Sequence, residues 1–427
     1  MHPTRTFTFS CLALVVLAAL SGQAFASSPV TVGLCAGPGT HYTTIQLAVN
    51  AVSGGGTVKV CPGTYAEQVS IISKSLTLIG ISNGTSDAAV VVVPAGGLVT
   101  NGVTDIFGFP TAAQIFVQNA AVTISHITVD GANNGLSGAG TDPIGIYYQN
   151  ASGTITANAV RNVIMDPADV GYGNGLAINV ESNTGAPAVT ISNNSVRNYD
   201  KNGITASGPA NGNPGPNVTV TGNTVIGLGA TTLIAQNGIQ IGYGALGKVT
   251  SNNVLDDIYI NPPDCALTTC WGSSGILLYG SAGVTVTTNT VESTQYGIVP
   301  VTVSASLTAN GTIIKSNHVG GTQLYDGIDL CSDGNTAQSN VIYGSAESGI
   351  HLDDSCSPST GSNNTVTGNT VNEACAGILL GTGTNPNISA NTFMNVTNTT
   401  LAGDTCTPLF GPSGKHQSLR PSAYKIK

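Results

Sequence analysis

Short stretches along most of the chain alternate between apolar and polar residues. In VTVTGNTV, residues 218–225, and in VTVTTNTV, residues 284–291, valine recurs at alternate positions with threonine between. A period of two residues predicts short β-strands with one apolar face and one polar face. A strand of four or five residues cannot bury its apolar face alone, so these strands must stack on one another to form a core.

Two motifs recur through the chain and set the period of this stack. The first is apolar-x-x-x-Asn-x-Val, with some variation, and its asparagines are Asn158, Asn194, Asn223, Asn252, Asn289, Asn317, Asn340, Asn369 and Asn391. The second is Gly-Ile-x-apolar or close to it, and it begins at Gly175, Gly203, Gly238, Gly275, Gly297, Gly327, Gly349 and Gly377. Intervals within each series run from 22 to 37 residues. The shortest interval is typical of one coil of a parallel β-solenoid, and the longer ones are one coil plus a loop.

The repeated asparagine fits this interpretation. Asn tolerates the left-handed backbone conformation of a tight bend, and like residues on successive coils can hydrogen-bond along the stack. Neighbouring coils are expected roughly 4.8 Å apart. The repeat therefore predicts an all-β protein with parallel sheets and one continuous apolar core.

The N-terminal residues differ from the repeat. Residues 1–26 contain Arg5, an apolar run from Cys11 to Leu20 and the small-x-small sequence Ala24-Phe25-Ala26, which together are typical of a signal peptide. The segment TIQLAVNAV, residues 44–52, places apolar residues at helical spacing and predicts an amphipathic helix. Such a helix would close the open end of a solenoid.

We therefore expect four regions. They are a signal peptide at residues 1–26, an N-terminal cap at residues 27–57, a parallel β-helix at residues 58–402 and a C-terminal tail at residues 403–427.

Charge and cysteine content limit the partners. The net charge is −9, and the chain has only 12 lysines and arginines with which to neutralise phosphates, so we expect neither nucleic acid nor an anionic membrane surface as a partner. No stretch after residue 26 approaches 18 apolar residues, so we expect no membrane insertion, and we expect a monomer. An even number of cysteines after residue 26 favours disulfides and a secreted protein, extracellular or periplasmic.

One stretch carries a family resemblance. Residues 42–80, YTTIQLAVNAVSGGGTVKVCPGTYAEQVSIISKSLTLIG, resemble the opening of right-handed parallel β-helix proteins of the pectin-lyase-like superfamily. Pectin methylesterases and copper-associated periplasmic β-helix proteins share this opening. The resemblance implies a single-stranded right-handed parallel β-helix, but it does not fix the activity, because the superfamily includes lyases, hydrolases, esterases, epimerases and non-catalytic proteins.

The catalytic motifs of the best-known members are missing from this sequence. The segment TDIFGF, residues 104–109, only echoes the Asp-Phe-Ile-Phe-Gly segment of pectin methylesterases. Asp353 and Asp354 match one polygalacturonase segment without the other three, and no arginine lies in a pectate lyase motif. These three activities are therefore disfavoured.

Two coils concentrate charge in a chain of which only 8% is charged: GIDLCSD at residues 327–333 and GIHLDD at residues 349–354. Alignment of the coils on Gly-Ile gives two outward columns, the first with Ala177, Thr205, Gln240, Leu277, Val299, Asp329, His351 and Leu379 and the second with Asn179, Ser207, Gly242, Tyr279, Val301, Cys331, Asp353 and Gly381. Two carboxylates and an imidazole can serve as general acid and base. We therefore predict Asp329, His351 and Asp353 as catalytic residues, with His351 transferring the proton.

Two other interpretations of these residues stay open. Residues 316–414 contain eight acids and no lysine or arginine, so the carboxylates need a protonated His351, a bound cation or raised pKa values. The first alternative is a single ion pair between Asp329 and His351, with the other acids in solvated turns. The second is calcium, the one cofactor that the sequence suggests, with Asp326 and Asp333 as metal ligands.

An insertion between Gly238 and Gly275 predicts a sugar-binding element. Cys265 and Cys270 are spaced to form a disulfide that closes a small loop, and Trp271 follows at once. An aromatic ring beside a groove can stack on a sugar ring. The substrate-binding residues that we predict are Trp271, Tyr279, Tyr325 and Asp354.

These observations lead to two hypotheses about function. The charged coils are similar in design to mannuronan epimerases and some alginate lyases, although His351-x-Asp353 departs from the epimerase Asp-Pro-His-Asp segment. The first hypothesis is a secreted β-helix protein that acts on or binds a polysaccharide or cell-surface glycan, by lyase, hydrolase or epimerase chemistry. The alternative is a non-catalytic solenoid with a glycan-binding, structural or adhesive role.

Overall fold

The computed structural model describes residues 29–35, 40–84, 87–136, 140–165, 174–260, 272–321, 325–403 and 406. The predicted signal peptide and nearly all of the predicted tail lie outside these residues. The described chain forms one helix and 35 strands, numbered in chain order, and the pairs between these strands are parallel. Each coil contributes to three faces of a right-handed parallel β-helix, so the predicted fold class is confirmed.

Face A is a sheet of 14 strands. Its strands are β1 Val30–Val32, β2 His41–Tyr42, β3 Thr57–Val60, β6 Leu76–Gly80, β9 Ala121–Ser125, β12 Ser152–Thr156, β15 Ala188–Ser192, β18 Asn217–Thr221, β21 Leu246–Thr250, β24 Thr285–Thr287, β27 Ile313–Lys315, β30 Thr336–Gln338, β32 Thr365–Thr367 and β34 Asn387–Ser389.

Faces B and C are two ladders of a 21-stranded sheet. The strands of face B are β4 Gly63–Ala66, β7 Ala89–Val92, β10 Thr128–Asp130, β13 Ala159–Val163, β16 Ser195–Tyr199, β19 Thr224–Thr231, β22 Asn253–Tyr259, β25 Thr290–Glu292 and β28 His318–Gly320. The strands of face C are β5 Val69–Ile72, β8 Thr111–Gln118, β11 Asp142–Gln149, β14 Leu176–Glu181, β17 Asn202–Ser207, β20 Asn237–Gly242, β23 Ser274–Tyr279, β26 Tyr296–Val301 and β29 Ile328–Leu330. Three long strands run through both ladders: β31 Val341–Leu352, β33 Thr370–Leu380 and β35 Thr392–Ala402.

The helix α1, Ile45–Ala51, lies against the first coils. The Thr44 side chain accepts a hydrogen bond from the backbone N–H of Leu47, and the Glu67 carboxylate accepts bonds from the N–H groups of Ile45 and Gln46 at 2.8 and 3.0 Å. These acceptors satisfy N–H groups that a helix start leaves without partners. The apolar side of α1 contacts β1, β3 and β5, while its role as a cap stays a prediction. In the described part of the chain, no helix is long and apolar enough to cross a membrane.

The repeated asparagines form one continuous ladder from Asn158 to Asn391. Each side-chain amide donates to the side-chain carbonyl of the next asparagine at 2.9 to 3.1 Å. The residue just before most of these asparagines, such as Ser251 or Thr288, has the positive φ angle of the bend. The stacking of asparagines thus agrees with the sequence prediction, but the left-handed residue is their predecessor.

The middle of face C is buried on both sides, whereas its first strand, β5, and its last, β35, are partly exposed. Every residue of β14, β17, β20, β23 and β26 is buried, whereas strands of face A alternate between buried and partly exposed residues. Inward residues of face C join the main apolar core, and outward residues form a second layer with irregular loop residues such as Ile106, Val303 and Leu307. The outward columns predicted from sequence are therefore not solvent-facing surfaces.

Candidate functional site

The two charged coils meet as the repeat predicts. Asp329 on β29 pairs with His351 on β31, and His351 pairs with Leu379 on the next coil. The Gly175 coil is the exception in this column. There Asn179, not Ala177, pairs with Thr205, and Glu181, not Asn179, pairs with Ser207. The alignment on Gly175 was wrong by two residues, because this coil reaches its inward Ile178 two residues later.

Asp326, Asp329 and His351 form one buried cluster. The Nδ1 atom of His351 lies 3.5 Å from Oδ2 of Asp326 and 3.8 Å from Oδ1 of Asp329, and the three side chains have no exposed surface. Asp326, which the sequence suggests only as a calcium ligand, therefore belongs to the same cluster as Asp329 and His351. The signal was available in the sequence, because Asp326 and Ser348 both precede a Gly-Ile motif and stand one 22-residue coil apart.

Ser348 fixes the Asp326 carboxylate. Its backbone N–H and its hydroxyl both donate to Oδ1 of Asp326, the N–H at 3.1 Å. Oδ2 of Asp326 accepts no hydrogen bond and points toward His351. The arrangement thus directs one carboxylate oxygen at the imidazole.

Asp353 shares one neighbour with Asp329, the Sγ atom of Cys331, which lies 3.7 Å from both carboxylate oxygens of Asp329, but its other contacts differ. Its Oδ1 accepts a hydrogen bond from the Ser355 N–H at 2.7 Å, and its Oδ2 lies 3.4 Å from Sγ of Cys331 and 3.2 Å from Sγ of Cys356. Cys331 and Cys356 form a disulfide. Asp353 is fully buried, and these contacts place it in the turn that follows β31.

The remaining predicted residues are scattered. Tyr325 is buried and stacks on Tyr296 with ring centroids 5.1 Å apart, and Tyr279 is buried against Tyr243 at 5.3 Å. Burial raises the pKa of Tyr296, and the nearby Tyr325 and Asp329 add to that rise. Trp271, Cys265 and Cys270 lie outside the described residues.

The two predicted calcium ligands have separate roles. The Oδ1 atom of Asp333 accepts hydrogen bonds from the Ser359 hydroxyl and from the N–H groups of Thr360 and Ser362, at 2.8 to 3.3 Å. Asp326, in contrast, groups with Asp329 and His351. Asp354 is half-buried beside Gly381.

Sequence reasoning missed a second buried acidic cluster under the loop at residues 99–110. The Tyr147 hydroxyl donates to Oε2 of Glu181 at 2.6 Å, and the Asn179 amide donates to Oε1 at 3.0 Å. Burial raises the pKa of Glu181 to about 7 and that of Asp142 to about 8, with the charge of Asp105 adding to each shift. These acids lie far apart in the sequence, so no local motif predicts the cluster.

Face A presents a different surface, which we call the hydroxyl face. It consists of two outward columns along the twelve consecutive strands from β3 to β34. The first column is Thr57, Thr77, Thr123, Thr154, Thr190, Thr219, Lys248, Thr285, Ile313, Thr336, Thr365 and Asn387. The second column is Lys59, Ile79, Ser125, Thr156, Ser192, Thr221, Thr250, Thr287, Lys315, Gln338, Thr367 and Ser389.

The hydroxyl face is open to solvent and partly ordered by its own contacts. All of its residues except Ser125 are half-buried or exposed. The Ser192 hydroxyl donates to the Thr156 hydroxyl at 2.9 Å, and Thr287 donates to Thr250 at 3.2 Å. No acid occurs in either column, so the three lysines give this face a positive charge on a chain whose net charge is −9.

Part of the chain matches a known family. The model of NosD, a periplasmic copper-binding protein, matches residues 264–408, about a third of the chain. No curated protein matches the sequence.

Several solved structures are similar to this fold. The A-module of a mannuronan C-5 epimerase from Azotobacter vinelandii is 16% identical over 86% of this chain and 92% of its own, with a TM-score of 0.50. A GH136 lacto-N-biosidase from Eubacterium ramulus is 11% identical over 86% of this chain and 67% of its own, with a TM-score of 0.56. PfbA, a surface adhesin of Streptococcus pneumoniae, is 14% identical over 83% of this chain and 86% of its own, with a TM-score of 0.43. At identities of 16% and 11%, the likeness to the epimerase module and to the lacto-N-biosidase shows the fold alone.

Proposed function

We propose that this chain, a right-handed parallel β-helix protein, binds polysaccharide through the hydroxyl face and does not alter it chemically. The observation that carries this proposal is the array of threonine and serine side chains on eleven of the twelve consecutive strands from β3 to β34 of face A, with β27 as the exception. The proposal selects the non-catalytic alternative, and it assigns binding to a surface different from the charged coils.

The chemistry of the hydroxyl face suits a polymer rich in hydroxyl groups. Strands of a sheet lie roughly 4.8 Å apart, so the hydroxyls of neighbouring strands recur at that spacing wherever the columns hold threonine or serine. A polymer with repeated hydroxyl groups can make the same hydrogen bond at many coils, and many weak contacts add up when they are held together. Seven positions without a hydroxyl interrupt the array, so we do not expect it to serve as a template for a crystal such as ice. They are Lys59, Ile79, Lys248, Ile313, Lys315, Gln338 and Asn387.

The charge of the face also favours this class of partner. Lys248 in the first column and Lys315 in the second lie two coils apart, at a distance of roughly 10 Å. Two lysines on a face without carboxylates can attract the carboxylates of acidic sugars. The face should therefore accept neutral polysaccharide along most of its length and acidic sugars near these lysines.

The geometry of the charged coils supports binding over catalysis. A general acid or base must come within hydrogen-bond reach of the substrate atom that it serves. Asp329, His351 and Asp353 have no exposed surface, so a polysaccharide reaches them only if the covering layer opens. Catalysis by these three residues stays a prediction.

The disulfides support a location outside the cytosol. Cys35 pairs with Cys61, Cys331 with Cys356 and Cys375 with Cys406. Disulfides persist in the periplasm and outside the cell. We propose an extracellular or periplasmic protein, in which the hydroxyl face meets glycans directly.

A polysaccharide panel tests the proposal. The full chain is incubated with cellulose, chitin, pectin and alginate, and both the bound fraction and the reducing ends and unsaturated products are measured. We expect binding to at least one polymer without new products. Product formation that His351→Asn abolishes would overturn the proposal in favour of catalysis, and the absence of binding to every polymer would overturn it outright.

A further inference from the structure

The buried cluster of Asp326, Asp329 and His351 carries more negative charge than its surroundings balance. Asp326, Asp329, Glu347 and Asp353 are all buried, and residues 316–414 contain no lysine or arginine. Buried carboxylates are costly unless a cation, a proton or hydrogen bonds stabilise them. His351, even when protonated, would supply one positive charge for two carboxylates in direct reach.

The distances within the cluster are longer than hydrogen bonds and close to those between ligands around an ion. A hydrogen bond from an imidazole nitrogen to a carboxylate oxygen is about 2.7–3.2 Å long. The separations of 3.5 and 3.8 Å from Nδ1 of His351 to Asp326 and Asp329 exceed that range. Two ligand atoms each about 2.0–2.2 Å from a tetrahedral ion lie about 3.3–3.6 Å apart. The separation from Asp326 falls in this range, and the separation from Asp329 is slightly longer. One ring nitrogen of His351 and one carboxylate oxygen from each of Asp326 and Asp329 lie within 4.8 Å of one another.

The hydrogen bonds that Ser348 makes to Asp326 support this arrangement. The Ser348 N–H and hydroxyl hold Oδ1 of Asp326 and leave Oδ2, which accepts no hydrogen bond, directed at His351. Outer contacts of this kind fix the orientation of a metal ligand. The strand register pairs Asp329 with His351 on adjacent coils, so the backbone itself fixes the positions of two of the three ligands.

We propose that Asp326, Asp329 and His351 bind one divalent transition-metal ion of the zinc class. Calcium takes six to eight oxygen ligands, whereas this cluster offers an imidazole and two carboxylates. A soft monovalent ion such as Cu⁺ prefers thiolate ligands. The nearby Cys331 and Cys356 offer no thiolate, because they are joined in a disulfide. Imidazole and carboxylate together suit zinc, and three protein ligands leave a fourth position for a water molecule or a further protein atom.

The site would act as a cross-link between coils. Its ligands come from the segment before β29, from β29 and from β31, so an ion would join two neighbouring coils beneath the second layer. Because the ligands have no exposed surface, an ion bound during folding would exchange slowly. This inference does not depend on glycan binding at face A, which is a separate surface.

Zinc content after folding tests the site. The full chain is refolded with Zn²⁺ and with disulfides formed, dialysed against a weak chelator and analysed by elemental mass spectrometry. We expect about one zinc per chain in the parent. His351→Asn and Asp326→Asn should retain less than a tenth of that amount.

Two matched variants serve as controls. His318→Asn removes an exposed histidine that contacts Tyr343, and Asp333→Asn removes an acid outside the cluster. Both should keep the parent's zinc. Equal zinc content in the parent, His351→Asn and Asp326→Asn would overturn the site, and so would a parent without zinc.

A measurement on the parent protein alone tests the site even if the variants fail to fold. Co²⁺ bound by two carboxylates and an imidazole in four-coordinate geometry gives intense visible absorption, and Zn²⁺ should abolish it in competition. Weak absorption, or absorption that Zn²⁺ leaves unchanged, would contradict the proposed site.

Discussion

Asp329 and His351 face each other on adjacent coils, with Oδ1 and Nδ1 3.8 Å apart and neither side chain exposed. The repeat in the sequence brings them together, but the layer outside face C removes them from solvent. Their relationship therefore bears first on stability and ion binding. Polysaccharide binding is assigned to the open side of face A instead.

The burial of His351 predicts a large cost for its removal. His351→Ala leaves two buried carboxylates without their imidazole partner and opens a cavity, so we expect a loss of about 2–4 kcal/mol in the free energy of unfolding. The exposed His318 provides the matched control, and His318→Ala should cost less than about 1 kcal/mol. Urea denaturation measures both values. Equal, small costs would mean that His351 is accessible to solvent.

The asparagine ladder predicts a large loss in the free energy of unfolding when one of its asparagines is replaced. Oδ1 of Asn252 accepts bonds from the backbone N–H and the side-chain amide of Asn223 at 3.0 and 2.9 Å. Asn252→Ala leaves both donors buried without that acceptor, and we expect a loss of about 3 kcal/mol. The exposed Asn183, changed to Ala, should have little effect on the same urea curve. A loss below about 1 kcal/mol for Asn252→Ala would show that water replaces the ladder.

The second acidic cluster predicts lower stability at higher pH. The folded state holds the pKa of Asp142 at about 8 and that of Glu181 at about 7, above their ordinary values of 3.8 and 4.5. The folded protein therefore keeps protons that the unfolded chain releases, and this contribution is complete below pH about 4 and lost as the pH rises through 7 to 8. We expect the melting temperature to fall from pH 5 to pH 8.

A substitution assigns this pH dependence to the cluster. Asp142→Asn removes one titrating group while it keeps a polar side chain, so the fall in melting temperature should become smaller. Glu373→Gln, at an exposed position, should leave the fall unchanged. A flat profile in the parent, or an unaltered slope in Asp142→Asn, would contradict the assignment.

The fold could be predicted from the sequence because it is periodic. The recurring asparagine and Gly-Ile motifs determine coil length, parallel pairing and the adjacency of Asp329 and His351. The layer outside face C could not be predicted, because Ile106, Val303 and Leu307 come from irregular loops without a period. An outward residue of a strand is exposed only if nothing covers the strand, and the alternating pattern does not contain that information.

The threonines of face A can be recognised in the sequence, but their alignment into columns and their exposure to solvent cannot. Threonine alternates with valine in β18 and β24, and that pattern predicts only a strand with a polar side. The register of the pairs aligns these threonines into two columns and shows that face A remains open where face C is covered. The surface that we propose for binding thus depends on which face the loops leave free.

Binding by matched double variants tests the central claim most directly. Thr190 and Thr219 lie on the hydroxyl face, while Ser195 and Thr224 lie on face B of the same coils. The dissociation constants of the parent, Thr190→Glu/Thr219→Glu and Ser195→Glu/Thr224→Glu are measured on the polymer that the panel selects, with circular dichroism as a check of folding. We predict at least tenfold weaker binding for the face A pair and unchanged binding for the face B pair. Equal affinity of the two double variants would contradict binding through the hydroxyl face. A loss of affinity confined to Ser195→Glu/Thr224→Glu would also contradict it.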